Sequence, residues 1–514
     1  MDNYNIAANI RIRKIILTDF RNIVHAEVDI PGGKMTEYIN GDPSILGVYG
    51  QNGSGKSSLI IAINALKHAL GGEAFAYTEF ESCIRVGCKS AKLEFELSSY
   101  NDEGDQFDIY YAFKMAIRDG AAKTELSKEH VEAALYYLGW ENTFSDQVIE
   151  RGLGLDALAP KNKRIIIYDE VLQFASLSAD GVKNNKQILI DTTEEASGAC
   201  GKAFGNKRKY AQLTSNCDPD IDQYLLESRV EANLKSTSFI FSDKVLKEFN
   251  KGCSNELYRT VLRALREYAD NYLFAITTFE TGATNINMVL LLHTWVEIEE
   301  YGRAAITVPV KMYEPVYTRE NQIKYYKNTI ESINKVITSV VPGLRIEFVD
   351  TGKTFIENGE ELLMYDLVSD RSGVRIPLAY ESDGIRRIIS FLSIMIAAYN
   401  HPSVTLAIDE LDSGIFEYLL GELLSIMNES AKGQLIFTSH NLRPLEVLPY
   451  RNLLFTTINP ENRFAKLEGI SGNNNLRDSY FRSIILGSGK DAFYDATDTF
   501  NIEQAFYEAG LPQE

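Results

Sequence analysis

The sequence predicts an α/β fold in which short buried strands run directly into helices or polar turns. Residues 45–70 read as an apolar strand, a Gly-rich loop and a helical pattern that Gly71 and Gly72 end. Two further apolar runs, VTLAIDE at 404–410 and QLIFTSH at 434–440, end in charged or polar residues. Short apolar runs of this kind are typical of buried strands, and their alternation with helices indicates the α/β class.

Size and charge limit the function. The chain has 514 residues, of which 45% are hydrophobic, so it can bury a large core and hold about two to four domains. The formal charge of −19 disfavours a protein that coats nucleic acid through its overall field. Because no cleavable leader and no run of about 18 apolar residues is present, we expect a cytoplasmic protein without a membrane partner.

The first part of the chain is predicted to be rich in strands. Residues 10–30 show two β-type runs separated by a polar break, which indicates two strands joined by a turn. Further strands are expected at 91–100 and 107–117, on either side of an Asn-Asp-Glu-Gly turn. We expect residues 1–115 to be the first part of an enzymatic head.

A mixed, mainly helical insertion is expected at 116–345. Helices are predicted at 255–274 and 319–340, and neither keeps a heptad pattern long enough for a coiled-coil arm. Residues 346–514 are expected to complete the head, and the pattern there predicts helices near 384–399 and 414–427.

The Gly-rich loop GVYGQNGSGKSSLI satisfies the P-loop pattern through Gly50, Gly55, Lys56 and Ser57. Glycines let backbone N–H groups surround phosphate oxygens, and the helix that begins near Lys56 directs its positive dipole end at them. Lysine reaches the β- and γ-phosphates and serine coordinates Mg²⁺, so we expect ATP and Mg²⁺ as cofactors. The expected loop residues are Gly50, Asn52, Gly53, Ser54, Gly55, Lys56, Ser57 and Ser58.

Three downstream features are candidates for the rest of the site. Asp409 and Glu410 end an apolar strand, where one carboxylate can hold Mg²⁺ and the other can activate water. His440 ends the next strand in the right order to approach a γ-phosphate. Upstream, Ser382, Asp383 and Gly384 precede a helix, either as an anion site or as a plain N-cap.

The order of P-loop, Ser/Gly segment, Asp-Glu strand and histidine resembles the ABC-type ATPase heads of the SMC and RecF kind. The opening segment ILTDFRNIVHAEVDI looks like the first strand of those heads, and the resemblance covers about 1–115 and 346–485. It implies that Ser382–Gly384 is a signature that completes the ATP site of a second subunit. It also implies that Asp409 binds magnesium, that Glu410 is the catalytic base, and that His440 is the switch histidine.

Within that superfamily, the segments ESDGIRRI, AIDELDSGIFEYLL, IFTSHN and NLRDSYFRSIILG look most like prokaryotic ATPases of abortive-infection and anti-phage systems. Septu, PARIS and overcoming-lysogenization-defect proteins have related heads. The signature segment ESDGI lacks the Leu-Ser-Gly-Gly start that is usual in such heads. These heads also usually carry a glutamine that senses the metal ion, and we assign no residue of this chain to that position.

Several functions remain open for such a head. A transporter subunit is disfavoured by the long interval between Lys56 and Ser382, and a chromosome-organising protein by the lack of long coiled-coil patterns. We expect a homodimer or larger homo-oligomer that senses a phage trigger and controls a separate nuclease or toxin effector. The alternative is a DNA repair or recombination ATPase that binds DNA.

Overall fold

The computed structural model describes residues 10–33, 44–100, 106–120, 163–177, 185–278, 289–298, 302–355, 361–466, 476–486, 492–494 and 498–510. Its strands are β1 (Arg11–Phe20), β2 (Ile23–Asp29), β3 (Ile45–Tyr49), β4 (Ala91–Tyr100), β5 (Gln106–Asp119), β6 (Lys163–Leu177), β7 (Gln187–Asp191), β8 (Leu273–Ile276), β9 (Val289–Ile298), β10 (Gly302–Lys311), β11 (Val316–Thr318), β12 (Leu344–Phe355), β13 (Glu361–Arg371), β14 (Val374–Pro377), β15 (Thr405–Ile408), β16 (Gln434–Thr438), β17 (Leu453–Thr456) and β18 (Phe464–Ala465). Its α-helices are α1 (Lys56–Leu70), α2 (Tyr77–Phe80), α3 (Glu194–Cys200), α4 (Lys207–Leu213), α5 (Ile221–Lys235), α6 (Asp243–Gly252), α7 (Glu256–Asn271), α8 (Glu320–Val340), α9 (Asp383–Asn400), α10 (Glu417–Ser430), α11 (Pro444–Val447), α12 (Leu476–Leu486) and α13 (Thr499–Ala509).

The sheet that carries the Gly-rich loop has the strand order β18-β17-β3-β16-β15-β8. All neighbours from β17 to β8 pair in parallel, and β18 is an antiparallel edge strand. Every residue of β3, β15, β16 and β17 is buried, as expected for parallel strands covered on both faces. The predicted α/β class is confirmed.

Two hydrophobic cores lie on opposite faces of this sheet. Leu46 and Val48 of β3 point into a core that they share with α1, whereas Ile45 and Tyr49 point into the core that contains α9. Side chains of a strand alternate between its two faces, which explains how one short strand serves both cores. Packing on both faces therefore fixes the positions of the strand ends from which the loops emerge.

Strand β8 comes from the interval 116–345 and joins the same sheet at its edge, in register with β15 (Leu406 opposite Phe274). The predicted helix at 255–274 was wrong at its end, because α7 stops at Asn271 and residues 273–274 belong to β8. The interval expected to be an insertion thus places Thr277 and Thr278 beside the end of β15.

The described residues form three further sheets. A six-stranded antiparallel sheet has the order β2-β1-β4-β5-β6-β7 and shares the core of α1 and of α7. Strands β11-β13-β12 form a further sheet, with β14 paired to β13 and α8 packed on β12, and β9 pairs with β10. Among the described residues, no helix is long and apolar enough to cross a membrane.

The remaining predicted helices are confirmed with shifted ends. The helix predicted at 319–340 is α8, and the one predicted at 384–399 is α9, which begins at Asp383. The helix predicted from 414 starts only at Glu417. Gly414 has φ +75°, a left-handed backbone conformation that cannot begin a right-handed helix.

Candidate functional site

The P-loop connects β3 to α1 and leaves the first N–H groups of α1 available to a ligand. Gly55 occupies the N-cap position with φ +98°, and no side chain caps the helix. The positive φ favours glycine at this position, and a Cβ atom there would also lie 2.8 Å from Asn22 Oδ1 and displace that side chain. An uncapped helix N-terminus is a suitable place for an anion.

Lys56 is folded back into the P-loop. Its side chain is 6% exposed, and Nζ donates hydrogen bonds to Gly50 O (2.8 Å) and Gln51 O (3.0 Å). Burial lowers the pKa of Lys56, while the carboxylates of Asp409, Glu410 and Asp412 act in the opposite direction. The ammonium group is thus held by carbonyl groups at the place where phosphate oxygens could replace them.

Asp409 lies directly after β15 and is 1% exposed. Thr438 Oγ1 donates a hydrogen bond to Asp409 Oδ1 (2.5 Å), and Thr278 Oγ1 donates one to Oδ2 (3.3 Å). These threonines follow or end the two strands that flank β15. Neighbouring parallel strands therefore fix both oxygens of one carboxylate.

Glu410 has a left-handed backbone with φ +50°, which is uncommon for a residue other than glycine. Its N–H donates to Thr438 Oγ1 (2.8 Å), and its carbonyl oxygen accepts from Arg387 Nη2 (2.5 Å) and from the Ser413 N–H (3.1 Å). Contacts on both sides of the residue thus hold its unusual backbone. Strained residues held in this way are common at functional sites.

His440 follows β16 and is exposed. The N–H groups of His440 and Asn441 donate to Asp412 Oδ2 at 3.1 Å and 2.9 Å. Since Asp412 follows Glu410 by two residues, one carboxylate connects the acidic segment after β15 to the histidine segment after β16.

One cavity of about 740 Å³ collects most of the predicted site residues. This volume is in the usual range for a ligand pocket. The predicted residues that line it are Asn52, Gly53, Gly55, Lys56, Ser57, Ser58, Asp409, Glu410 and His440. The cavity lining also includes Arg21, Tyr77, Glu81, Ile84 and Val86.

The remaining predicted residues lie elsewhere. Ser54 is 4% exposed and donates a hydrogen bond to Gln51 O (2.6 Å), so it stabilises the conformation of the P-loop from within. Ser382 caps α9 by accepting from the Ile385 N–H (3.4 Å), and Ser382 and Asp383 are exposed outside the cavity. A Cβ at Gly384 would lie 2.2 Å from Gly414 O, which explains the glycine in this segment.

The residues present fit a nucleoside triphosphate with its metal ion. Ser58 Oγ is buried and has no hydrogen-bond partner among the described residues, although it belongs to the cavity wall. In the described ranges, no group of three or more His, Cys, Asp or Glu is arranged to hold a metal ion. Ser57 and Asp409 both line the cavity, and they would hold a magnesium ion together with phosphate oxygens, the shared ligation that is usual for Mg²⁺.

Sequence reasoning missed the residues that position the site. Thr438 sits two residues before His440 at a strand end, and that position was a usable signal. Thr278 and Arg387 gave no such signal, because they reach the acidic pair only through the pairing of β8 and the packing of α9.

The fold and this cavity define an α/β P-loop ATPase head. The family described as AAA ATPase domain matches residues 11–443, and this protein belongs to that family.

Some solved structures are similar to the chain at low identity. The SMC head domain from Pyrococcus furiosus bound to the C-terminal domain of ScpA is 11% identical, with 89% of this chain and 96% of that chain covered and a TM-score of 0.35. The SMC head domain from Thermotoga maritima is 13% identical, with coverages of 89% and 99% and a TM-score of 0.32. RecF with ATP is 11% identical, with coverages of 85% and 94% and a TM-score of 0.31. No curated protein matches this sequence.

Proposed function

We propose that this protein hydrolyses ATP in the cavity between the P-loop and the ends of β15 and β16. The observation that carries the proposal is that one cavity collects the P-loop, the Asp409–Glu410 pair and His440, which are far apart in the sequence. Membership of the AAA ATPase domain family supports the choice of nucleotide.

Each residue then has a defined task. Lys56 and the N-terminus of α1 bind the phosphates, and Ser57 and Asp409 hold magnesium. Magnesium supplies charge neutralisation for the phosphates. Glu410 orients the attacking water and accepts its proton, while His440 contacts the γ-phosphate.

A second copy of the chain completes the site in this proposal. Ser382 and Asp383 are exposed at the start of α9 and lie outside the cavity of their own chain. The motif order resembles SMC- and RecF-type heads, in which such a segment contacts ATP across a dimer. ATP binding would therefore join two subunits, as a homodimer or within a larger homo-oligomer.

The biological role that we propose is a sensor and scaffold in anti-phage defence. This role is supported by the sequences of three segments, which resemble those of abortive-infection ATPases: ESDGIRRI, AIDELDSGIFEYLL and IFTSHN. A phage trigger would change the assembly state, and that change would hold or release a separate nuclease or toxin effector.

ATP binding is tested with Lys56→Ala. The substitution removes the ammonium group from the cavity, so we expect no measurable ATP binding by calorimetry and no phosphate release. A wild-type rate of hydrolysis in this variant would refute the assigned site.

The defence role is tested in cells that carry the gene with its neighbouring genes. Wild-type cells should resist phage, and cells with Lys56→Ala should not, while the purified chain with ATP and Mg²⁺ leaves DNA and RNA intact. Nucleic-acid cleavage by the purified chain would contradict the role. Tight, salt-sensitive binding to DNA ends would favour the repair alternative.

A further inference from the structure

Arg463 is a buried guanidinium that lies behind the P-loop, on the turn before β18. Its side chain is 7% exposed. Nη1 donates a hydrogen bond to Thr457 O (2.7 Å) and Nη2 donates one to Asn22 O (2.9 Å). Both acceptors are neutral carbonyl groups.

Within the part of the chain that the structure describes, no carboxylate pairs with the Arg463 guanidinium. Burial lowers the pKa of Arg463. Lys56 differs, because the carboxylates of Asp409, Glu410 and Asp412 oppose the lowering of its pKa. A buried cation without an anion is costly, so a partner anion at this place stabilises the protein.

The side chain of Arg463 reaches the phosphate-binding end of the P-loop. A Cβ built on Gly55 would lie 3.4 Å from both Cγ and Cδ of Arg463. Asn22, whose carbonyl oxygen accepts from Arg463, uses its own Nδ2 to donate to Gly53 O (2.8 Å). Arg463 therefore lies beside Gly55 and is linked to the loop through Asn22.

The hairpin of β17 and β18 also holds the beginning of the loop. Thr456 Oγ1 donates to Tyr49 O (3.1 Å), and it lies within hydrogen-bond distance of Ser54 Oγ. The segment from Thr456 to Arg463 is thus held next to the P-loop at Ser54 and linked to it through Asn22. This segment lies about 400 residues after the P-loop in the sequence.

We propose that Arg463 is a further positioning residue of the nucleotide site, which strengthens polyphosphate binding from behind the P-loop through its positive charge. This role rests on the proposed nucleotide binding at the P-loop. The positive charge of Arg463 would act on the negative charges of the β- and γ-phosphates. Arg463 does not touch the phosphates; it acts through the field it adds to the helix N-terminus and through Asn22.

The test compares a variant without the charge with one that keeps it. Arg463→Gln retains hydrogen-bond donors near the two carbonyl groups but is neutral, and Arg463→Lys retains the charge. Arg477→Met is the matched control, because it removes an arginine from a solvent-exposed ion pair with Glu446. Calorimetry measures Kd for ATP, ADP, inorganic tripolyphosphate and pyrophosphate at two salt concentrations, with melting curves to check folding.

We expect Arg463→Gln to bind ATP and tripolyphosphate about tenfold more weakly, with a smaller loss for ADP and pyrophosphate. The loss should shrink at high salt. Arg463→Lys should keep most of the affinity, and Arg477→Met should match the wild type.

Two results would overturn the inference. Equal affinities of Arg463→Gln and Arg463→Lys for tripolyphosphate would show that the charge has no role. A loss of the same factor for all four ligands, independent of salt, would leave Arg463 with a purely structural task. Failure of the wild-type protein to bind ATP would instead refute the proposed nucleotide site itself.

Discussion

Thr438 joins the two carboxylate residues of the site through a single hydroxyl group. Its Oγ1 donates to Asp409 Oδ1 (2.5 Å) and accepts from the Glu410 N–H (2.8 Å). The same atom therefore orients the proposed magnesium ligand and fixes the left-handed backbone of the proposed base. Removing it would disturb both tasks without changing the P-loop.

Thr438→Val is expected to reduce kcat for ATP hydrolysis about tenfold, because one lost hydrogen bond to a charged group costs about 1.5 kcal/mol. The KM for ATP should change little, since the P-loop still binds the phosphates. Thr438→Ser keeps the hydroxyl and should remain close to the wild type in steady-state assays. Equal rates for the valine and serine variants would show that the hydroxyl is not needed.

At the scale of elements, α9 is connected to the end of β15. Arg387, in the first turns of α9, donates to the Glu410 carbonyl oxygen (2.5 Å). Burial lowers the pKa of Arg387, and Glu410, Asp412 and Asp409 oppose that shift. The segment that we propose to contact a second subunit thus begins the same helix whose Arg387 holds the backbone of the proposed base, Glu410.

Arg387→Met is expected to lower kcat about tenfold while the Kd for ATP stays near the wild-type value, because Glu410 would lose a charge-assisted contact. Arg375→Met is the control, since it removes an exposed arginine that pairs with Glu347 and Asp370 within the sheet of β11, β12, β13 and β14. A rise in Kd with unchanged kcat would contradict the assigned task of Arg387.

Sequence could predict the parts of the site that depend on local spacing. The P-loop residues, Asp409, Glu410 and His440 follow apolar strands directly, so their positions could be read from the chain. Strand β8 could not, because Leu273 and Phe274 continue the helical pattern of α7 and become part of a strand only by pairing with β15. Thr278, Arg387 and Arg463 depend on such distant contacts.

At the scale of the whole molecule, a buried carboxylate connects β6 to the segment before α6. Glu170 is 1% exposed and accepts hydrogen bonds from Tyr111 Oη (2.7 Å), the Phe239 N–H (2.7 Å) and Ser238 Oγ. Burial raises the pKa of Glu170, and these hydrogen bonds reduce the shift. The folded protein therefore retains this proton at a pH where the unfolded chain has lost it.

This raised pKa predicts a pH-dependent stability. The contribution of Glu170 is fully present below its ordinary pKa of 4.5 and is lost as pH rises through the higher folded value. Glu170→Gln keeps a neutral side chain at every pH, so the free energy of unfolding of the wild type should fall relative to this variant as pH rises above 4.5. Urea unfolding of both proteins between pH 5 and 8 measures the difference, and a constant difference would contradict the prediction.

Sedimentation of Glu410→Gln with and without ATP tests whether two chains share one ATP site. If they do, this variant binds ATP, does not hydrolyse it and accumulates as a dimer only when ATP and Mg²⁺ are present, whereas Lys56→Ala remains a monomer. An ATP-bound Glu410→Gln protein that stays monomeric at all concentrations, or one that hydrolyses ATP at the wild-type rate, would contradict a shared site.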